Sequence, residues 1–426
     1  ISLVLHYATW RYFLLLRNVN LKMESVLFLA HSYYSIKSHI MNKINILFLP
    51  LFYVLLTACQ HSRNEVCSLV STQDSLVFEL NPQTSVFAKA IFLYTDANGR
   101  EYLTFQNDIE PEILWYDIAT QEYVKTLCLE KEGPNGVGMF FGYLIQSEEE
   151  IYIPEIRSTV IDVVNNRGEI TRKIRYDKTS LGKSAMPIMN ISFPHHVMHI
   201  VDGRLYLPQD PNLTLKNIME DSPVALVLDT VSGSLDEFEL RFPAVMTTEE
   251  MRGNKFGKTD CSSCYNGQNF VYSFFFDEDI YVVSLDGKVQ KQVKVKSNYL
   301  PQIYDGEKVP SGIPELLEMI CSVPMYGNLI YDQYREVYYR FVYPETELVK
   351  GENYKDIWDL GRSKFSVIIL DKELNIIGET LFPENMYASR LFFVSKDGLY
   401  ISTSFIKNPH YSDERLCFQR MDLVYE

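Results

Sequence analysis

Few residues in this chain have the types and spacing that do chemistry. Cys261-Ser262-Ser263-Cys264 has the CxxC spacing of thiol redox sites and zinc half-sites. A structural zinc needs four ligands, and no second CxxC is present. A redox pair needs a helix N-terminus to lower a thiol pKa. The flanks Gly257-Lys258-Thr259-Asp260 and Tyr265-Asn266-Gly267 read instead as loop into strand. Cys261 and Cys264 are therefore expected to form a disulfide that staples a loop. His195-His196-Val197-Met198-His199 is the one histidine cluster. On a strand His195 and His199 share a face but stand ~13 Å apart, too far to grip one metal by themselves. No metal site is expected. The acidic runs Ser147-Glu148-Glu149-Glu150 and Asp277-Glu278-Asp279 read as solvated turns. There is no P-loop, GxSxG, HExxH or dinucleotide fingerprint, and no cofactor is implied. Carboxylate pairs for glycoside hydrolysis stay open, because such pairs meet only in space.

Any such residues must be positioned by strands. From residue 75 onward, short runs rich in Tyr, Phe, Val and Ile recur between Gly, Asn and Asp turns. Asn98-Gly99, Asp202-Gly203, Asp286-Gly287 and Asp397-Gly398 are hairpin signals. The runs fall into five sets of four, starting near Ala90, Phe141, Val197, Cys264 and Leu329. A last set of three starts at Leu391. The missing strand is available as Ser75–Leu80. The expected fold is all-β: a six-bladed β-propeller over 75–426, closed by its own N-terminal strand. Such closure limits exposed sheet edges. A pair of β-sandwiches is the alternative. Each set occupies roughly 60 residues, above the ~40–50 of WD40 and kelch repeats. The excess is in long insertions at 177–194, 211–223, 243–262, 297–325 and 344–363.

In such a ring, loops between the second and third strands lie on the same face as the linkers between blades. That face is expected to gather Asp108, Arg157, Asp210, Tyr343 and Lys407 with the linker residues Arg252, Lys255 and Arg390. Polar side chains around a channel mouth suit a small polar or anionic ligand. Cys128, Cys321 and Cys417 read as small core hydrophobes.

The N-terminus differs from the rest. The first 58 residues carry five basic side chains and one acid, whereas the whole chain has 40 basic, 55 acidic and a net charge of −15. The acid excess disfavours a nucleic-acid partner. Met41-Asn42-Lys43 starts a short positive region, Ile44–Leu55 is apolar, and Leu56-Thr57-Ala58-Cys59 closes it. This is the order of a secretory signal over 41–58. Residues 1–40 are then upstream translation or disordered, and 59–74 a tether. Leu56-Thr57-Ala58-Cys59 resembles the lipobox of bacterial lipoproteins. The resemblance implies cleavage before Cys59 and lipidation at Cys59, which would hold the protein on a membrane without a spanning helix. Gln60 follows the cysteine where an Asp would imply inner-membrane retention, so the outer membrane is expected.

The lipobox, the six loose blades and the loop Glu130-Lys131-Glu132-Gly133-Pro134-Asn135-Gly136-Val137-Gly138 together resemble uncharacterised bacterial envelope lipoproteins with a TolB-like, NHL-like six-bladed β-propeller. The resemblance implies fold and envelope location and supplies no catalytic residues. The leading expectation is a non-catalytic propeller that binds a small molecule, glycan or envelope protein through one loop-rich face. The alternatives are a glycan- or ester-directed hydrolase or lyase with carboxylates from several blades, and a structural subunit of an outer-membrane assembly.

Overall fold

The computed structural model describes residues 66–426, apart from 108, 189–196, 213, 244–259, 305–312 and 350. The first strand, β1 (Cys67–Glu79), belongs to the last sheet. Blade 1 is β2 (Lys89–Thr95), β3 (Glu101–Gln106), β4 (Glu112–Asp117) and β5 (Tyr123–Cys128). Blade 2 is β6 (Leu144–Ser147), β7 (Glu150–Pro154), β8 (Val160–Val164) and β9 (Ile170–Arg175). Blade 3 is β10 (His199–Val201), β11 (Arg204–Pro208), β12 (Ala225–Asp229) and β13 (Leu235–Glu237), with a one-turn helix α1 (Ile218–Asp221) between β11 and β12. Blade 4 is β14 (Cys261–Tyr265), β15 (Phe270–Phe274), β16 (Asp279–Val283) and β17 (Val289–Lys294). Helix α2 (Ile313–Ser322) leads into blade 5, which is β18 (Met325–Asp332), β19 (Val337–Tyr343), β20 (Ser366–Leu370) and β21 (Ile376–Leu381). Helix α3 (Tyr354–Leu360) sits between β19 and β20. Blade 6 is β22 (Ala388–Ser395), β23 (Gly398–Ser402), β24 (Arg415–Tyr425) and, from the other end of the chain, β1. All six sheets are four-stranded and antiparallel. The acidic runs are the tight turns between β6 and β7 and between β15 and β16.

The fully apolar runs have a simple cause. The buried side chains form six clusters, one between each pair of neighbouring blades. Successive side chains of a strand point to opposite faces, so each blade feeds two cores alternately. In β20, Val367 and Ile369 enter the core shared with blade 6, while Ile368 and Leu370 enter the core shared with blade 4. Strands buried on both faces then read as near-continuous apolar runs.

The ring closes as the sequence led one to expect, and more extensively. Ser75–Glu79 pairs with Arg415–Gln419, and Cys67–Ser71 continues along Met421–Tyr425 after a register shift. Strand β1 therefore starts at Cys67 rather than Ser75, and the last eight residues expected as tether belong to blade 6. Their alternation explains it: Cys67, Leu69, Leu76 and Phe78 are buried, whereas most residues between them face solvent. Strand β2 lies beside β22, which joins the first blade to the sixth.

Candidate functional site

Antiparallel order puts the start of each inner strand and the end of each second strand at the same side of the ring. Four polar residues reach that side near one another. Asp210 follows β11, Asp260 precedes β14, Tyr343 ends β19, and Arg390 lies near the start of β22. Register is lost between Ala388 and Phe392, so Arg390 sits in a bulge. A bulge re-aims a side chain that regular pairing would hold in the sheet. Arg390 is 4% exposed. It donates from Nη1 to the Trp358 carbonyl at 2.6 Å and lies 4.0 Å from the centre of the Trp358 ring. Arg390 also acts on Asp260, whose carboxyl pKa is pushed up to about 6. Burial is the main cause and the Asp210 charge adds to it, with Arg390 opposing both. Asp210 itself is exposed.

Beside Arg390 the chain builds a narrow cleft of about 10 Å³, roughly the room of one water, lined by Ile320, Met325, Tyr343, Trp358, Arg362 and others. Helix α3 positions its floor. Asn353 caps the helix by accepting from the Lys355 N–H at 3.2 Å. Gly361 ends it with φ +97, donating its N–H to the Ile357 carbonyl at 2.9 Å. A Cβ at Gly361 would fall 2.1 Å from Ser389 Oγ. Only glycine lets the helix end lie this close to β22.

Arg362, the next residue, is 3% exposed. It donates from Nη1 to the Pro344 carbonyl at 3.3 Å and from Nη2 to the Ile320 carbonyl. Its guanidinium stands 5.4 Å from the centre of the Tyr343 ring. Burial lowers the Arg362 pKa to about 9, and the neighbouring Arg390 charge adds to the effect. Tyr343 is buried and donates to the Ser389 carbonyl at 3.4 Å; burial raises its pKa. The Cys321 thiol donates to the Tyr354 carbonyl at 3.4 Å, and burial pushes its pKa up to about 11. That thiol is therefore protonated at neutral pH and is no nucleophile.

Of the residues expected at this face, Asp210, Tyr343 and Arg390 do come into one neighbourhood. Lys407 pairs with Glu352 and lines an adjoining cleft that also borders Arg362. Arg157 is exposed and does not join the group around Asp260. Asp108, Arg252, Lys255, His195, His196, the signal segment and Cys59 lie outside the described residues. Asp260, Trp358 and Arg362 were missed. Asp260 had a usable signal, since it directly precedes an inner strand, as Arg390 nearly does.

The expected disulfide between Cys261 and Cys264 is not formed; both thiols are free and buried. The strand begins at Cys261 rather than Cys264, so the pair lies within it. Residues three apart on a strand face opposite sides, ~10 Å apart. Cys261 enters the core between blades 3 and 4, and Cys264 the core between blades 4 and 5. Cys128 is exposed rather than buried, because it ends the outer strand β5. His199 is held in apolar surroundings, its ring 5.3 Å from that of Phe270. Burial lowers its pKa to about 4. Among the described residues no group of three or more His, Cys, Asp or Glu side chains is placed to hold a metal ion.

Fold and topology make this chain a six-bladed β-propeller. It belongs to the DUF4221 family, a domain of unknown function, whose family model matches residues 67–381. The crystal structure of a DUF4221 member from Bacteroides vulgatus is similar at 25% identity and a TM-score of 0.72, covering 85% of this chain and 100% of that one. Virginiamycin B lyase from Staphylococcus aureus aligns at 9% identity and a TM-score of 0.41, covering 82% of this chain and 99% of that one. That likeness is too distant to bear on function. None of the curated proteins matches the chain.

Proposed function

We propose that this protein is a cell-envelope lipoprotein, anchored in the outer membrane through Cys59, whose propeller binds a small ligand or partner without turning it over. The anchor rests on the order Lys43, apolar Ile44–Leu55, Leu56-Thr57-Ala58-Cys59 and then Gln60. Among the described residues no helix is long and apolar enough to cross a membrane. The observation that carries the binding reading is the convergence of Asp210, Asp260, Arg390 and the aromatic cleft at one end of the inner strands. A rigid ring with polar groups gathered at its mouth is a binding scaffold.

One observation favours a second reading. Asp260, with its carboxyl pKa near 6 and a second carboxylate acting on it, has the makings of an acid–base pair for a glycan- or ester-directed hydrolase or lyase. Two measurements decide. Radiolabelled palmitate should enter the protein and not a Cys59→Ser variant; equal labelling of both removes the anchor. The purified protein should release an intact bound molecule and leave glycan and ester panels unchanged. Turnover that is lost in Asp260→Asn would establish the enzyme instead.

A further inference from the structure

In five blades a short turn joins the third strand to the fourth. In blade 6 the two chain ends stand in its place, because β24 runs out at Tyr425 and β1 starts at Cys67. The Glu426 N–H donates to the Val66 carbonyl at 2.9 Å and ties the ends together. Antiparallel strands alternate in direction, so this end of the β1–β24 ribbon lies at the rim opposite the one that gathers Asp260, Tyr343 and Arg390. The packing of β1 agrees. Its Leu69 N–H donates to Thr380 Oγ1 at 2.8 Å, and a Cβ at Gly378 would fall 1.8 Å from the Cys67 carbonyl oxygen. Strand β1 therefore runs alongside β21 in the same direction. Gly378 is in register with Ile369, and Ile369 with Tyr339. Cys67 thus stands near the start of β19, whereas Tyr343 is its last residue. The chain before Cys67 enters from the far rim.

The ribbon is apolar on its outer side there. Val66, Val70 and Val424 are 55%, 46% and 43% exposed. Val424 stands opposite Ser68, and Val66 and Val70 lie two residues to either side of Ser68, so the three valines share one face. Tyr425, next along β24, is also exposed.

We propose that this end of the ribbon rests on the surface of the lipid bilayer, so that the rim holding Asp260 and Arg390 points away from the membrane. The placement rests on the anchor at Cys59 proposed above and adds which side of the ring meets the lipid. Cys59 precedes Val66 by seven residues. A stretch of that length spans at most ~25 Å, so acyl chains on Cys59 would hold the valines within that distance of the bilayer. A contact confined in this way forms at high effective concentration, and a small patch suffices. Exposed valines beside a tyrosine suit the boundary between headgroups and acyl chains, where an aromatic ring with a polar tip settles.

The test uses the mature lipidated protein reconstituted in phosphatidylcholine vesicles whose acyl chains carry bromine, a quencher of tryptophan. Val424→Trp puts a reporter on the ribbon. Met139→Trp puts one on the opposite rim, since exposed Met139 adjoins Phe140, whose carbonyl accepts from Gln106 Nε2 at the end of β3. Relative to the parent protein, the added emission of Val424→Trp should be quenched about threefold more than that of Met139→Trp. Adding Val70→Asp to Val424→Trp should cut that quenching by about twofold or more. If Val424→Trp does not fold, hydrogen exchange of the unsubstituted lipidated protein carries the test: vesicles should slow the amides of 422–426 and leave those of 137–142 unchanged. Equal quenching of the two reporters, stronger quenching of Met139→Trp, quenching untouched by Val70→Asp, or ribbon amides unmoved by vesicles would each overturn the proposal while leaving the anchor in place. Protein that does not float with the vesicles would overturn the anchor and the proposal together.

Discussion

Arg340 and Arg362 are both buried, and their surroundings predict different costs for the same substitution. Arg340→Met strips hydrogen bonds from carbonyls on blade 4 and removes the guanidinium stacked 3.5 Å from the centre of the Tyr326 ring. Stability should fall by about 3 kcal/mol or more in denaturant titrations. Arg362→Met relieves a buried charge with no carboxylate partner but strips the bonds to the Pro344 and Ile320 carbonyls, so stability should fall by less than for Arg340, by about 1–2 kcal/mol. Asp260 sets a pH dependence. Its folded pKa lies above the ordinary carboxylate value of 3.8. The folded state therefore holds the proton more tightly, and the resulting stability is full below pH ~4 and lost as pH rises to ~6. At pH 7 the Asp260→Asn variant should be the more stable, by up to about 3 kcal/mol less solvent screening, with the gap closing below pH ~4. His199 acts with the opposite sign. Its pKa is lowered, so its contribution is full above pH ~6.5 and is lost as pH falls through about 4. Thermal melts of Asp260→Asn between pH 4 and 7 separate the two effects.

At the scale of elements, strands were legible and helices were not. The strand runs near Glu101, Ile113 and Val160 fall where the pattern put them, because each is buried on two faces and advertises it; the run near Tyr123 is also a strand, though mostly exposed. Helices α2 and α3 lie in the insertions at 297–325 and 344–363, where the sequence points only to loops. They are short, and the apolar residues of α3 are few: Ile357 and Leu360 are buried. Their signals were local, an Asn cap at Asn353 and a terminating Gly361. Arg362 was unreadable for a related reason. Nothing in a linker or a helix end shows which blade it will lie against. Gly361→Ala tests the element that holds the cleft. A methyl group there meets Ser389 Oγ and the backbone N–H of Arg390, in a conformation that disfavours any side chain. The expected loss is about 2–4 kcal/mol, read as a lowered melting temperature together with a changed Trp358 emission.

At the scale of the molecule, closure depends on the two chain ends. Phe78, on β1, is fully buried, with its ring centre 5.5 Å from that of Tyr116 in blade 1 and 6.2 Å from that of Phe418 in blade 6. It joins the last blade to the first. Phe78→Ala should cost about 3–5 kcal/mol in chemical denaturation, the range for emptying a large core site. Val124→Ala, on the exposed outer strand β5, should cost under about 0.5 kcal/mol. Equal costs would mean that β1 does not fasten the ring.

Strand number, the sets of four, the borrowed first strand and the order of the N-terminal segment were all present in the linear chain. They are local or periodic properties, and periodicity survives without coordinates. The side each cysteine faces, the meeting of Asp210, Asp260 and Arg390, and the unpaired state of Arg362 were decided only when the blades closed. Those features depend on which residues, distant in the chain, surround a group and exclude water from it, and no spacing along one strand encodes that.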